Sequence, residues 1–186
     1  MSDTSSTPRL VKLPIKTVDD PEFSAVARRI VPPPRDAQKA SQFFPAYAGF
    51  EIGQGSTVDI SHFYSNASHA PRPAGFDRHL HSEELWIALE GDFYVPAAPS
   101  LQPDDVDETP SLERMHCFLI HQGDVFAFRR GVWHAGVWPV TPGAAVQFMM
   151  LLSGHRRTDD GRPMDNPGGR VRDAMIVPDF DAFSGA

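Results

Sequence analysis

Two histidines and two carboxylates stand close together in the run Arg78-His79-Leu80-His81-Ser82-Glu83-Glu84, and a third histidine, His134, follows about fifty residues later behind Gly123 and Gly131. Three neutral imidazoles with one carboxylate suit a borderline divalent ion such as Zn, Mn, Fe or Ni. In a strand, side chains alternate with period two, so His79 and His81 share a face and can reach one ion. Glu84 is offset from both by an odd number. It joins them only if the chain bends or bulges near Ser82. Arg129 and Arg130 precede His134 at a turn and read either as a solvated β-turn or as a guanidinium fork gripping a carboxylate ligand. Arg78 carries the same two readings, salt bridge or anion contact at a cavity mouth. His62, His69, His116, His121 and His155 have no partner spacing and read as structural or surface residues. His62 and His116 lie on predicted strands and could line the cavity.

The elements that must position these residues are short strands. Strand patterns cover 58–64, 86–89, 92–95, 115–120, 125–128, 132–140 and 146–152, with turns at Glu90-Gly91, at 121–124, at Arg130-Gly131 and at 141–143. Pro96 is read as the end of the 92–95 strand. Many short strands with little helix between them indicate an all-β sandwich or barrel. Asp20-Pro21-Glu22 reads as a helix start, with Asp20 as N-cap and Pro21 in the first turn. That helix can run to about Ile30, because Pro32-Pro33-Pro34 stops it. Phe43, Phe44, Tyr47 and Phe50 supply aromatic bulk for packing. The acidic, proline-bearing stretch 99–110 reads as a solvated connector without chemistry. The division expected is an N-terminal arm with a short helix (1–56), a barrel (57–153) and a C-terminal tail (154–186).

Composition bounds the function. The chain has 186 residues, 41% of them hydrophobic and 22% charged, enough for one domain with a sizeable core plus arms. A net charge of −7, with arginines in pairs rather than stripes, argues against a nucleic-acid surface. The single cysteine, Cys117, excludes an internal disulfide and a thiolate cluster, and its apolar neighbours mark it as a packing residue. Trp133 and Trp138 read as core. No apolar stretch reaches membrane-spanning length and the N-terminus lacks a signal-peptide pattern, so a cytoplasmic location is expected. Strand edges and extended arms point to a two-fold homodimer.

These residues resemble the cupin superfamily, whose fold is a double-stranded β-helix or jelly-roll barrel. His79-Leu80-His81 with Glu84 and, six residues on, Gly91 resembles its first motif. Gly123, Arg129-Arg130-Gly131 and His134 resemble its second, with Arg129 in place of the usual proline. Only two residues separate His81 from Glu84, one or two fewer than is usual there, which keeps Glu83 as a substitute carboxylate. Within cupins the chain looks most like the ureidoglycolate lyase family, on Arg78-His79, on Tyr94-Val95-Pro96-Ala97-Ala98-Pro99 and on Arg130-Gly131-Val132-Trp133-His134. The likeness covers roughly 58–152. It implies a metal held by His79, His81, Glu84 and His134, and cleavage of ureidoglycolate, a small carboxylate substrate, to glyoxylate and urea. Glu83 would be the base and Arg130 the carboxylate clamp. A binding cupin without turnover and a metal-dependent dioxygenase are the other readings of the same ligand set.

Overall fold

The computed structural model describes residues 7–31, 58–153 and 169–183. The triple proline, the aromatics at 43–50 and His155 lie outside them. Thirteen strands are present among the described residues: β1 (Arg9–Leu13), β2 (Ile15–Thr17), β3 (Ala27–Arg29), β4 (Val58–Ser65), β5 (Arg72–Phe76), β6 (Glu84–Glu90), β7 (Phe93–Ala98), β8 (His116–Ile120), β9 (Val125–Phe128), β10 (Trp133–His134), β11 (Trp138–Pro139), β12 (Val146–Ser153) and β13 (Gly169–Pro178). One sheet runs β3-β9-β6-β12-β4; a second runs β10-β7-β8-β2, with β11 also on β7; a third runs β1-β13-β5. The described residues are almost entirely β, in three sheets with one short α-helix.

Strand β7 shows why the layers stack as they do. All six of its residues are buried. Phe93, Val95 and Ala97 enter one core with Trp86, Phe118, Phe126, Phe128 and Phe148, while Tyr94 and Ala98 enter a second with Leu13, Cys117, Trp133 and Ile176. Period-two alternation in a strand covered on both faces produces this division. The second sheet is therefore the middle layer. Pro96 does not end β7. The strand runs to Ala98, pairing with β8 on one side and β10 on the other.

The helix α1 spans only Pro21–Val26. It stops four residues before Ile30 because Ala27 turns extended and Ala27–Arg29 pairs antiparallel with β9. Ladder hydrogen bonds and the burial of Ala27 outweigh helix propensity there. Asp20 does not cap α1 with its side chain. Its carboxylate accepts the backbone N–H of Thr17 at 2.6 Å instead. The segment read as one strand over 132–140 is two short bridges, β10 and β11, both on β7. Both terminal segments join the third sheet, where β1 runs parallel to β13.

Candidate metal centre

Glu84 is the first residue of β6, and alternation puts it on the same face as Trp86 and Ala88, toward the core between the two five-stranded sheets. His134 reaches that core by the same rule. On β10 its neighbour Trp133 belongs to the other core, so His134 faces inward. His79 is not on a strand. Residues 78–83 form a bent segment between β5 and β6, with bends at Leu80 and His81. Backbone hydrogen bonds stitch that segment to the turn before β10. Asp77 and His134 exchange both of theirs, at 2.8 and 2.9 Å, and the Gly131 N–H donates to the His79 carbonyl at 2.7 Å. Gly131 has φ +77, a left-handed conformation that glycine adopts at little cost.

Three ligand atoms converge as a result. Glu84 Oε2 lies 2.9 Å from His79 Nε2 and 2.8 Å from His134 Nε2. The three side chains are all nearly inaccessible to solvent. Oε2 approaches both nitrogens without hydrogen-bond angles, so a buried carboxylate oxygen faces two ring nitrogens with its lone pairs unused. A cation between them would satisfy that oxygen, because the two nitrogens and the oxygen are all donors of electron pairs. His134 is set up for this. Its Nδ1 lies 3.1 Å from the Val132 carbonyl, which can only accept, so Nδ1 carries the proton and Nε2 offers its lone pair. The His134 ring also stacks on Phe128, with centroids 4.7 Å apart, and meets Trp86 edge-on at 6.1 Å. Burial pushes the Glu84 carboxyl upward, yet the imidazoles of His134 and His79 hold it well below the usual carboxylate range.

His79, Glu84 and His134 are thus brought together, and among the described residues they are the group of side chains that could hold a metal ion. The other predicted site residues are placed elsewhere. His81 is exposed. The strand alternation that would have set it beside His79 is absent from the bent segment, and the bend that turns His81 outward is the one that turns Glu84 in. Glu83 pairs with Arg28 of β3 at 2.9 Å, which removes it from the cluster. Arg130 is exposed and reaches Asp104 at 3.4 Å, on the acidic stretch rather than toward the histidines. Arg129 donates to the Ser24 carbonyl of α1. His116 and His121 stand apart, and His121 faces Asp92 at 2.9 Å.

Two contacts have partners that the sequence does not identify, the first being the salt bridge that was one of the two readings of Arg78. Arg78 is wholly buried and paired with Glu108, so the 99–110 stretch is anchored rather than a loose connector. Glu83 faces Arg28 across 55 residues of sequence. The adjacency of Arg78 to His79 was the only signal for the first. Nothing local signals the second.

No protein-family model matches the chain, and no curated protein matches it. Among solved structures it is similar to an RmlC from Streptococcus suis in complex with dTDP-D-xylose (12% identity, 57% of this chain and 48% of that one, TM-score 0.36). It is also similar to a dTDP-4-dehydrorhamnose 3,5-epimerase from Bacillus anthracis (13%, 58% and 57%, TM-score 0.35) and to a TDP-quinovose 3,4-ketoisomerase from Campylobacter jejuni (12%, 55% and 65%, TM-score 0.35). The chain spans about half to two thirds of the length of these structures. Likeness at this level carries no activity from one protein to another. None of the described helices is long and apolar enough to cross a membrane.

Proposed function

We propose that this chain is a metal-dependent cupin enzyme whose divalent ion is held by His79, Glu84 and His134. The observation that carries the reading is the buried Glu84 oxygen facing two imidazole nitrogens at 2.8 and 2.9 Å without hydrogen-bond geometry. Three protein ligands leave coordination positions open, as catalytic sites do and closed structural sites do not. Bound there, the ion would act as a Lewis acid on oxygen donors of a small substrate. The chain's own residues supply the rest. Glu84 contributes the compensating charge, His134 is fixed in one tautomer by Val132, and Phe128 and Trp86 exclude water from one side of the ligand set.

The particular reaction rests on the sequence resemblance. Cleavage of ureidoglycolate to glyoxylate and urea would fit such a site. The carboxylate and the neighbouring hydroxyl would be drawn to a bound ion, and the hydroxyl proton would pass to the departing urea nitrogen as the C–N bond breaks and the C=O of glyoxylate forms. Glu83 is given no part as base, since its carboxylate is engaged by Arg28 of β3 at 2.9 Å. Arg130 is given none as clamp. A second reading, metal-dependent dioxygenation, is favoured by one observation. With His81 outside the cluster, the set is two histidines and one carboxylate, the facial arrangement used by non-haem iron oxygenases.

The deciding experiment is metal analysis of the purified protein, followed by assay with Fe(II), Mn(II) and Zn(II), with and without oxygen. Anaerobic release of urea and glyoxylate supports the lyase reading. Oxygen uptake confined to the iron form supports dioxygenation. Protein that neither carries nor binds a divalent ion refutes both.

A further inference from the structure

Arg78 is among the largest fully buried side chains and the most completely buried cation among the described residues. A guanidinium cannot shed its charge, so placing it there requires compensation on every side. It receives that from three directions. Its Nη1 donates to the Glu108 carboxylate, its Nη2 donates to the Asp105 carbonyl, and its Cζ lies 4.2 Å from the centroid of the Trp133 ring, over the ring face. Glu108 in turn gathers the stretch around itself, accepting the Leu101 N–H at 2.6 Å, the Gln102 N–H at 3.3 Å and the Ser100 hydroxyl.

The positions of these contacts along the chain give them a function. Arg78 immediately precedes His79, and Trp133 immediately precedes His134. Alternation on β10 sends Trp133 to one side of the middle sheet and His134 to the other. The guanidinium–indole contact therefore joins, from behind, the two backbone segments whose next residues carry the imidazoles. The same segments are joined in front by the Asp77–His134 pair and the Gly131–His79 hydrogen bond. Pro103 closes the arrangement, since a Cβ on Gly131 would sit 2.9 Å from its side chain.

From this we infer that Arg78, clamped by Glu108, is a positioning residue that fixes the separation of His79 and His134, and that the acidic 99–110 stretch is the outer wall of the metal centre. The inference rests on the metal reading given above. Partners behind a metal ligand typically set affinity by 10–100-fold when removed.

The test is Co(II) titration of metal-free protein, followed by visible absorption, for wild type, Arg78→Lys and Glu108→Gln, beside Ile176→Ala in the second core as a destabilised control. Cobalt reports affinity through the titration and ligand geometry through its band shape. Arg78→Lys retains charge but cannot bridge a carboxylate and a carbonyl while lying over an indole. Both Arg78→Lys and Glu108→Gln should bind Co(II) at least about 10-fold more weakly, with an altered spectrum, while Ile176→Ala keeps the wild-type spectrum at a similar loss of melting temperature. Should Arg78→Lys fail to fold, Glu108→Gln, which keeps the side-chain shape, decides. Wild-type affinity and spectrum in the Glu108 variant would overturn the positioning role and leave Arg78 as a structural ion pair. Failure of the wild type itself to bind Co(II) would overturn the metal reading, and this inference with it.

Discussion

Replacing Glu84 with Gln separates a metal centre from a merely buried ion pair, because the amide keeps the shape and removes the charge. A ligand that binds only the folded state stabilises it by RT ln(1 + [L]/Kd), about 2.7 kcal/mol at a free concentration of 100 Kd. For a domain of this length, each kcal/mol raises Tm by about 2–4 °C, so wild type should gain about 5–10 °C on adding metal. Losing a partner behind a ligand costs 10–100-fold in affinity, so losing one of three direct ligands should cost more than about 100-fold. At the same metal concentration the variant then sits near its own Kd or below it. The remaining stabilisation is at most RT ln 2, about 0.4 kcal/mol, or roughly 1 °C. His134→Ala should behave likewise. His81→Ala should keep the full wild-type shift, because the His81 side chain is exposed and lies outside the three-residue cluster. Differential scanning fluorimetry over a metal titration measures all of these. A wild type that shows no shift at millimolar Zn(II), Mn(II), Fe(II) or Ni(II) would refute the reasoning. So would a His81→Ala that loses as much as Glu84→Gln.

Gly91→Ala should cost more than Gly123→Ala in urea unfolding. Both glycines have positive φ, worth about 1–3 kcal/mol against a side chain, but only at Gly91 would the new Cβ meet a backbone oxygen, that of Ala145, at 2.7 Å. Equal losses would mean that the β6–β7 turn has room the structure does not show. Glu108→Gln should lower stability at pH 7 by about 2 kcal/mol, since hydrogen bonds to a charged group are lost. Although burial opposes it, the bonds from Ser100, Leu101 and Gln102 and the charge of Arg78 hold the Glu108 carboxyl below its ordinary value of 4.5. The stability it contributes is therefore complete above that ordinary value and disappears as pH falls through the lowered one. The gap between wild type and variant should close in acid, and a gap independent of pH down to 2 would contradict the ion pair. The homodimer expected from the terminal arms predicts twice the 20.5 kDa chain mass in light scattering at micromolar concentration, and a monomer mass would dispose of it.

The strands were legible as short apolar runs bounded by turns. Val125–Phe128 and the Leu85–Leu89 run of β6 are continuously apolar and bounded by glycine turns, at Gly123 and Gly91. The failures share one cause, competition from partners distant in sequence. Propensity extended the helix past Val26, but β9 recruited Ala27–Arg29 into a ladder. Proline should have ended β7, but β8 pairs straight across it and the other edge resumes beyond it with β10 on Ala97 and Ala98. A connector rich in acids and prolines looked solvated, yet Glu108 found a buried guanidinium thirty residues away. None of these partners is visible from within the segment that it reshapes.

The same logic explains why the structure gathers His79, Glu84 and His134 and leaves His81 aside. Alternation places His79 and His81 on one face only if 78–83 is a strand, and it excludes Glu84 on the same condition. The bend at Leu80 and His81 reverses both outcomes at once, bringing Glu84 in and leaving His81 out. Its cause lies outside the segment. Asp77 is held by β10, His79 by Gly131, and Arg78 by Glu108 and Trp133, so three successive residues are committed to different partners. A segment pinned in this way cannot keep a strand's pleat. The odd offsets of Glu84 from both histidines, which required a bend, were the place where the sequence itself signalled that a strand through 78–84 had to fail.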